Sequence, residues 1–561
     1  AGGILAAIGF LALPLLRLNE YDSFSLGLMA ATMAALIGSA WRWPRLSLLA
    51  CWAAGLFTFG YVSWHVPALM GPDALDRFTD FARTGPAELR HFLITGAGFA
   101  GAVMACGVAA SLVGKRHPAW AGTAVAAPLV TFIYAYFRAV RFEQSPPFAF
   151  AALMLAAGLA IITEIIQSRS RPDDGTGTAD PVAIYAAGAI GWLALALTIE
   201  LEKGWLTIAL ALLTAGLGWL SLKRPYWVFR PLALGLAGIV TVRLILDPFF
   251  AGQDLGTTPI FNWLLYGYGI PAAAFAAAAW TFRQRHDDVT VQVLEGAAIT
   301  YGVVLASLEI RHLMNGGDIR SQTFDLAEMS IHTLTWLGLS VGLNRRYRHA
   351  GRKVTGYAST VLGIAGLAAV AFGHLVVLNP AFTGTSIGTG VIFNDLLLGY
   401  AVPAIMCLLL AYMLDETPYQ ARPPLFGLAA RTLALILAFA YLSLEVMALY
   451  QGPWLSPSAT SDAELYTYSA VWLVYGIALL AGGVWLASAA LRYASFAVVM
   501  LTVAKVFLID MSALTGVLRA LSFLALGLVL IGIGTVYQKL VFPRRNTAGG
   551  PNGPADKDST D

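Results

Sequence analysis

A glutamate and a histidine three residues apart share one face of a helix. Helical bundles use that spacing to present ligands to carboxylate-bridged dimetal centres. Glu309-Ile-Arg-His312 has it, and Asp325-Leu-Ala-Glu328-Met-Ser-Ile-His332 follows with a second pair, four apart and again on one face. Glu309, His312, Glu328 and His332 therefore form a candidate metal site of oxygen and imidazole ligands. The favoured reading is plainer. Related stretches of the chain carry Lys203 and Ala448 where His312 stands, so the four residues are expected to be solvated polar groups at helix ends. No cofactor is expected.

Glutamate recurs beyond this cluster. One apolar stretch ends Leu-Thr-Ile-Glu200, another Ala-Ser-Leu-Glu309, a third Leu-Ser-Leu-Glu445. Each is followed two or three helices later by Asp247, Asn379 or Asp510 at a helix end. A carboxylate at membrane depth is costly and takes a partner. Arg243, His374 and Lys505 recur in the same stretches, so a structural Glu–base pair is expected in each. A proton or cation relay through them is the alternative.

The most informative pattern is a repeat. The 26 residues from Asp247 through Asn262 and Pro271 to Ala272 recur without a gap from Asn379 through Asn394 and Pro403 to Ala404, and fourteen positions are identical. Asn262 and Asn394 stand where a side-chain oxygen would cap the next helix. Gly267 and Gly399 permit close packing. Pro271 and Pro403 are expected to kink the helix. The favoured reading is a capped, kinked hairpin used twice. The functional reading is that both hairpins dip into the membrane and line a cavity open to the periplasm. On that reading Glu200, Asn262, Glu309, Arg311, His312, Asn394, Glu445 and Lys505 are the candidate ligand-binding residues.

The elements that must position these residues are membrane helices. The 561 residues are 58% hydrophobic and only 12% charged, against roughly 25% charged in soluble domains. A net charge of +3 gives no field that would point to nucleic acid. Scanning for apolar stretches of about 20 residues gives about 18 candidate helices with cores at 1–16, 24–41, 46–68, 91–113, 119–138, 147–167, 181–200, 204–222, 231–247, 260–281, 291–310, 326–343, 354–378, 391–414, 425–449, 466–487, 493–510 and 517–538. The predicted fold class is an all-α polytopic transmembrane bundle with parallel four-helix internal repeats. Residues 1–180 read as degenerate repeats, 181–288, 289–424 and 425–545 as three repeats, and 546–561 as a disordered cytoplasmic tail rich in Gly, Pro, Asp and Ser. Lys and Arg crowd alternate loops, including Arg42 and Arg45, Lys115 and Arg116, Lys223 and Arg224, and the run at 345–353. Loops 248–259, 379–390 and 450–465 have neither. The basic loops and the C-terminus are therefore expected in the cytoplasm. The chain starts without Met inside an apolar run, which reads as a processed or partial chain.

Smaller signals fit this frame. Cys51, Cys106 and Cys407 are far apart in apolar runs and read as small hydrophobes. Gly96-Ala-Gly-Phe-Ala-Gly101 matches a dinucleotide-binding pattern, but no strand precedes it, so close helix contact is the better account. Trp41, Trp43, Trp205 and Trp454 read as interfacial belts. Arg138, Arg141 and Glu143 join Arg77, Arg83, Glu88, Arg90 and His91 of the longest loop. With Phe78, Phe81, Leu89 and Phe92 that loop reads as an amphipathic helix lying on the membrane, whose arginines could meet anionic headgroups.

Ser307-Leu-Glu-Ile-Arg-His312, the Ile-Phe-Asn-x-Leu-Leu-x-Gly-Tyr-x-x-Pro-Ala segment and Lys505-Val-Phe-Leu-Ile-Asp510 with its continuation to Arg519 together resemble a bacterial family of large, many-helix predicted membrane proteins with a domain of unknown function. The resemblance is best over about residues 180–540. It implies a bacterial inner-membrane location and supplies no reaction, substrate or catalytic residue. Three functions remain open: binding or translocation of a small or lipidic envelope ligand, a non-catalytic envelope scaffold, and a periplasmic-face enzyme acting on a lipid-linked substrate. The expected partners are membrane lipids and a small-molecule or lipid-linked ligand.

Overall fold

A computed structural model describes residues 23–64, 87–113, 117–169, 181–249, 255–390, 393–415, 423, 425–457 and 460–511, with scattered positions between 521 and 535. Among the described residues there is no named strand, and seventeen α-helices account for the architecture. Among the described residues, thirteen helices are long and apolar enough to cross a bilayer. Sixteen of the eighteen expected stretches coincide with described helices. The other two, 1–16 and 517–538, lie wholly or largely outside the described residues, as do the 546–561 tail and Arg77, Phe78, Phe81 and Arg83.

The chain divides into two compact units, Ala1–Leu305 and Ala306–Asp561. The division falls inside one long helix rather than at a boundary between four-helix repeats. The first unit holds α1 (Ser23–Arg42), α2 (Leu48–Ser63), α3 (Ala87–Leu112), α4 (Pro118–Val140), α5 (Pro146–Arg169), α6 (Pro181–Glu200), α7 (Lys203–Lys223), α8 (Phe229–Leu246), α9 (Ile270–Arg283) and the start of α10 (Val289–Met314). Proline opens α4, α5 and α6, where its fixed φ suits a helix and its missing N–H costs nothing. The short links α4–α5 and α6–α7 make those neighbours antiparallel. Gly107 lets α3 approach α4 closely, since a Cβ there would lie 2.5 Å from the Trp120 carbonyl. An aromatic core joins α2, α3 and α4: Tyr61 stacks on Phe92 at 4.3 Å and meets Tyr134 edge-on at 5.9 Å. Leu89 and Phe92, expected on an interfacial helix, are instead buried in this core as part of the long helix α3.

The second unit continues with α11 (Leu326–Ala350), α12 (Lys353–Ala368), the short α13 (Pro380–Thr383), α14 (Val402–Asp415), α15 (Phe426–Gln451), α16 (Asp462–Trp485) and α17 (Ala489–Lys505). Asp325 caps α11 by accepting from Glu328 N at 2.8 Å, and Ser461 caps α16 by accepting from Glu464 N at 3.3 Å. Leu337, Tyr400, Leu410 and Leu437 are fully buried in its core.

Among the described residues, four segments widen into π-helix: 265–269 before α9, 369–377 after α12, 397–401 before α14 and 506–510 after α17. The expected kinks at Pro271 and Pro403 thus take a specific form, a π turn ending two residues before the proline of α9 or α14. A proline ring crowds the carbonyl one turn back, and a widened turn relieves that crowding.

Candidate functional site

The repeated hairpin is built the same way in both copies. Asn262 Oδ1 accepts from Leu264 N at 2.8 Å, and Asn394 Oδ1 accepts from Leu396 N at 3.0 Å and Leu397 N at 3.1 Å. Trp263 N donates to Leu255 O at 3.2 Å, and the matching Asp395 N donates to Ile387 O at 3.0 Å. Gly256 (φ +76°) and the matching Gly388 (φ +84°) hold the left-handed turn that glycine adopts without a Cβ clash. Gly399 lies against Leu326, whose side chain would sit about 3.1 Å from an added Cβ. The capping and close-packing roles expected of Asn262, Asn394 and Gly399 are thus visible in the geometry.

In the second unit, helices joined by short links alternate in direction, so the C-terminal ends of α10, α12, α15 and α17 share one end with the N-terminal ends of α11, α14 and α16. The polar residues are concentrated there. Glu328, 2% exposed, receives Arg311 Nη1 at 2.7 Å and Asn315 Nδ2 at 3.1 Å, with His332 Nε2 at 3.8 Å. Arg311 also donates to the carbonyls of Ile319, Ser321 and Thr323, which pins the α10–α11 loop. One repeat later, Glu464 is 1% exposed. It accepts from Gln451 Nε2 at 3.1 and 3.2 Å and from Tyr468 OH at 2.9 Å. Both carboxylates sit in the first turn of a helix, where the backbone dipole favours negative charge.

The expectation of solvated residues here is corrected. Glu328, His312 and His332 are buried. Burial follows from satisfaction: a carboxylate leaves water when donors replace its hydration. Among the described residues no three or more His, Cys, Asp or Glu side chains converge to hold a metal. The Glu328 carboxylate that would serve as a ligand is engaged by Arg311 instead. Glu88-Leu-Arg-His91 is a second Glu-x-x-His, at the start of α3, and there His91 lies exposed against the Trp64 ring at 5.6 Å.

The three recurring bases meet hydroxyls on the preceding helix. Arg243 Nε donates to Thr207 Oγ1 at 3.3 Å, His374 Nε2 pairs with Thr333 Oγ1 at 2.9 Å, and Lys505 Nζ donates to Ser469 Oγ at 2.8 Å. Lys505 also bonds Asp510 Oδ1 and Leu465 O, both at 2.6 Å, so its three protons all have acceptors. Its carboxylate partner is therefore Asp510, from the same helix end, while Glu445 receives Asn394 Nδ2 at 3.1 Å. Glu200 ends α6 exposed, its backbone carbonyl accepting from Gln144. Glu309 is half-buried in α10.

Sequence reading missed several partners. Trp336 Nε1 donates to Ser307 Oγ at 3.2 Å and Trp472 Nε1 to Ser443 Oγ at 3.0 Å, both across 29 residues. Ser359 Oγ donates to Ser340 O and Ser495 Oγ to Gly476 O, both across 19 residues. Aligning Ser307-Leu-Glu with Ser443-Leu-Glu would have exposed these positions.

The first unit contains an apolar cavity of about 340 Å³. α3 contributes Leu93, Gly96, Ala97, Ala100, Gly101 and Met104, α4 contributes Pro128, Thr131, Phe132 and Ala135, and α5 contributes Phe148, Ala151 and Leu155. Tyr61 and Trp192 complete it. Gly96 is occupied space, because a Cβ there would lie within 2.6 Å of the Tyr61 ring, whereas a Cβ on Gly101 would meet nothing within 4 Å. The Thr131 hydroxyl is turned back onto Ala127 O at 2.7 Å. A more open groove of about 650 Å³ runs between α2 and α4 past Gly55, Thr58, Gly122 and Ala126. None of the eight candidate ligand-binding residues lines either space.

The chain belongs to the family described as "Predicted membrane protein (DUF2339)", whose profile matches residues 2–540. It is a multi-pass membrane protein of that family. No curated protein and no solved structure matches it.

Proposed function

We propose that this protein binds a lipidic ligand of the bacterial envelope inside the membrane, in the cavity bounded by α3, α4 and α5. The observation that carries the reading is the cavity itself. Its volume of about 340 Å³ falls within the roughly 300–1,000 Å³ of ligand sites. Its walls are almost wholly hydrocarbon, and its one threonine hydroxyl is spent on its own helix. Such walls suit an alkyl or isoprenoid chain; among the lining residues the Trp192 indole N–H is a buried donor without a hydrogen-bond partner. The loop charges support an inner-membrane orientation with the Leu93 and Ala135 end of the cavity toward the periplasm and the C-terminus in the cytoplasm.

A second reading is favoured by the other unit. There the carboxylates and bases engage one another, amides and hydroxyls, as a non-catalytic scaffold would require. The duplicated Trp–Ser and Ser–carbonyl bonds support parallel four-helix repeats. An enzyme would need a carboxylate or imidazole held for proton transfer, and Glu328 and Glu464 are held for packing.

The test is native mass spectrometry of the full chain released from lipid nanodiscs, comparing wild type with Ala97→Leu/Gly101→Leu. Retained lipid in the wild type and an empty double variant are expected. Equal retention by both would remove the cavity as the site.

A further inference from the structure

The polar end of the cavity carries its own chemistry. Ala135 lines the cavity, and Arg138 lies one helical turn further along α4, in its last turn. The Arg138 guanidinium sits 5.8 Å from the Tyr134 ring centre, and Tyr134 meets Tyr61, itself part of the cavity wall. Arg141 follows directly in a left-handed turn at φ +52° that stops the helix. Across from them, near the start of α3, stand Arg90 and His91, both exposed, three and two residues before the cavity residue Leu93. Exposed Glu143 lies at this end, and so do exposed Glu200 and Glu202 at the end of α6, where Gln144 donates to the Glu200 carbonyl at 2.9 Å.

We infer that the ligand is an anionic amphiphile, with its chain in the α3–α4–α5 cavity and its phosphate or carboxylate headgroup on Arg138, flanked by Arg90 and Arg141. This rests on the lipid-binding reading above and specifies its ligand class. Two independent observations meet here: an apolar space sized for a chain, and guanidinium groups one turn beyond it on two of its three walls. An amphiphile satisfies both at once. A neutral hydrocarbon would fill the cavity without using the arginines, and a free anion would use the arginines without filling the cavity. Arginine binds phosphate and carboxylate through parallel N–H donors, and a headgroup held among aromatic rings is less screened than one in water.

The experiment uses the full chain in detergent micelles, loaded with an equal mixture of dioleoyl-phosphatidylglycerol and dioleoyl-phosphatidylcholine. The two lipids share their chains and differ in headgroup charge. Retained lipid is read by native mass spectrometry. Wild type should keep the anionic lipid about tenfold over the zwitterionic one, equivalent to about 1.4 kcal/mol. Arg138→Gln should bring the ratio close to one while total retained lipid stays the same, and Arg138→Lys should restore most of the preference. A merely structural arginine would alter total retention and leave the ratio untouched. A wild-type ratio of one, or a ratio that Arg138→Gln does not move, overturns the inference. Retention of both lipids by Ala97→Leu/Gly101→Leu overturns the underlying cavity reading instead. Inorganic phosphate at millimolar concentration competing away the anionic lipid would assign the site to a free anion and also overturn the inference.

Discussion

Replacing Arg311 by methionine should be among the most damaging single changes outside the apolar core. Glu328 is 2% exposed, and Arg311 is its cation at 2.7 Å. The substitution leaves a buried carboxylate with Asn315 at 3.1 Å and an imidazole at 3.8 Å. Removing one partner of a buried ion pair costs about 3–5 kcal/mol, because the remaining charge stays desolvated. Three loop carbonyls, of Ile319, Ser321 and Thr323, lose their guanidinium donor as well. The double variant Arg311→Met/Glu328→Gln removes the stranded charge, so it should be more stable than Arg311→Met alone by about 2 kcal/mol or more. The chain supplies a natural comparison. Met447 stands one repeat after Arg311, and there Glu464 is held by Gln451 and Tyr468. Equilibrium unfolding of the four members of the cycle in mixed micelles, followed by tryptophan fluorescence, measures the coupling. If Arg311→Met lies within about 0.5 kcal/mol of wild type, or the double variant is no better than the single, Glu328 is not held as a buried charge.

Further predictions test the repeat and its caps. Gly256→Ala and Gly388→Ala should each cost about 1–2 kcal/mol, because both positions require a left-handed backbone; unequal costs in parallel unfolding curves would argue against equivalent hairpins. Trp336→Phe and Trp472→Phe each delete one indole hydrogen bond to a serine and should each cost about 1 kcal/mol on top of lost packing, with Ser307→Ala and Ser443→Ala removing most of the indole's excess over phenylalanine. Asn394→Ala removes a helix cap and a donor to Glu445, a loss of about 2 kcal/mol. Asn394→Asp keeps the cap but sets two carboxylates together, so it should be the less stable of the two at neutral pH in the same unfolding measurement.

The membrane helices were legible in the sequence because a span advertises itself by length and by the lack of charge. The hairpin caps were legible because the chain states them twice, as Asn262 and Asn394. The pairing of buried groups was not. A base is expected for Glu445, and its partners are Asn394 and Tyr441; a recurring glutamate is expected for Lys505, and its carboxylate partner is Asp510. Spacing along one helix says which residues share a face, but not which residue of a neighbouring helix comes opposite. The solvation of Glu328 and His332 was misjudged for the same reason, since the shielding residues Arg311 and Asn315 lie across a loop. The cavity was hidden by ambiguity in its glycines: at Gly96 the missing side chain admits Tyr61, and at Gly101 it leaves open space. Both look alike as letters.

The π turns have a consequence for how a helix can be used. A widened turn absorbs one extra residue, and at 3.6 residues per turn each residue rotates the helix by about 100°. Residues on either side of such a turn are therefore out of phase, and a single rod presents two differently aimed stripes. Along α12 and its π extension, Ser359 reaches Ser340 at one end, and within the widened segment His374 reaches Thr333 on the same partner helix. Deleting one residue between Ala369 and Gly373 would rotate His374 by about 100° relative to Ser359 and away from Thr333. The length of that segment, and not only its composition, sets whether both halves of the rod keep their polar contacts on α11.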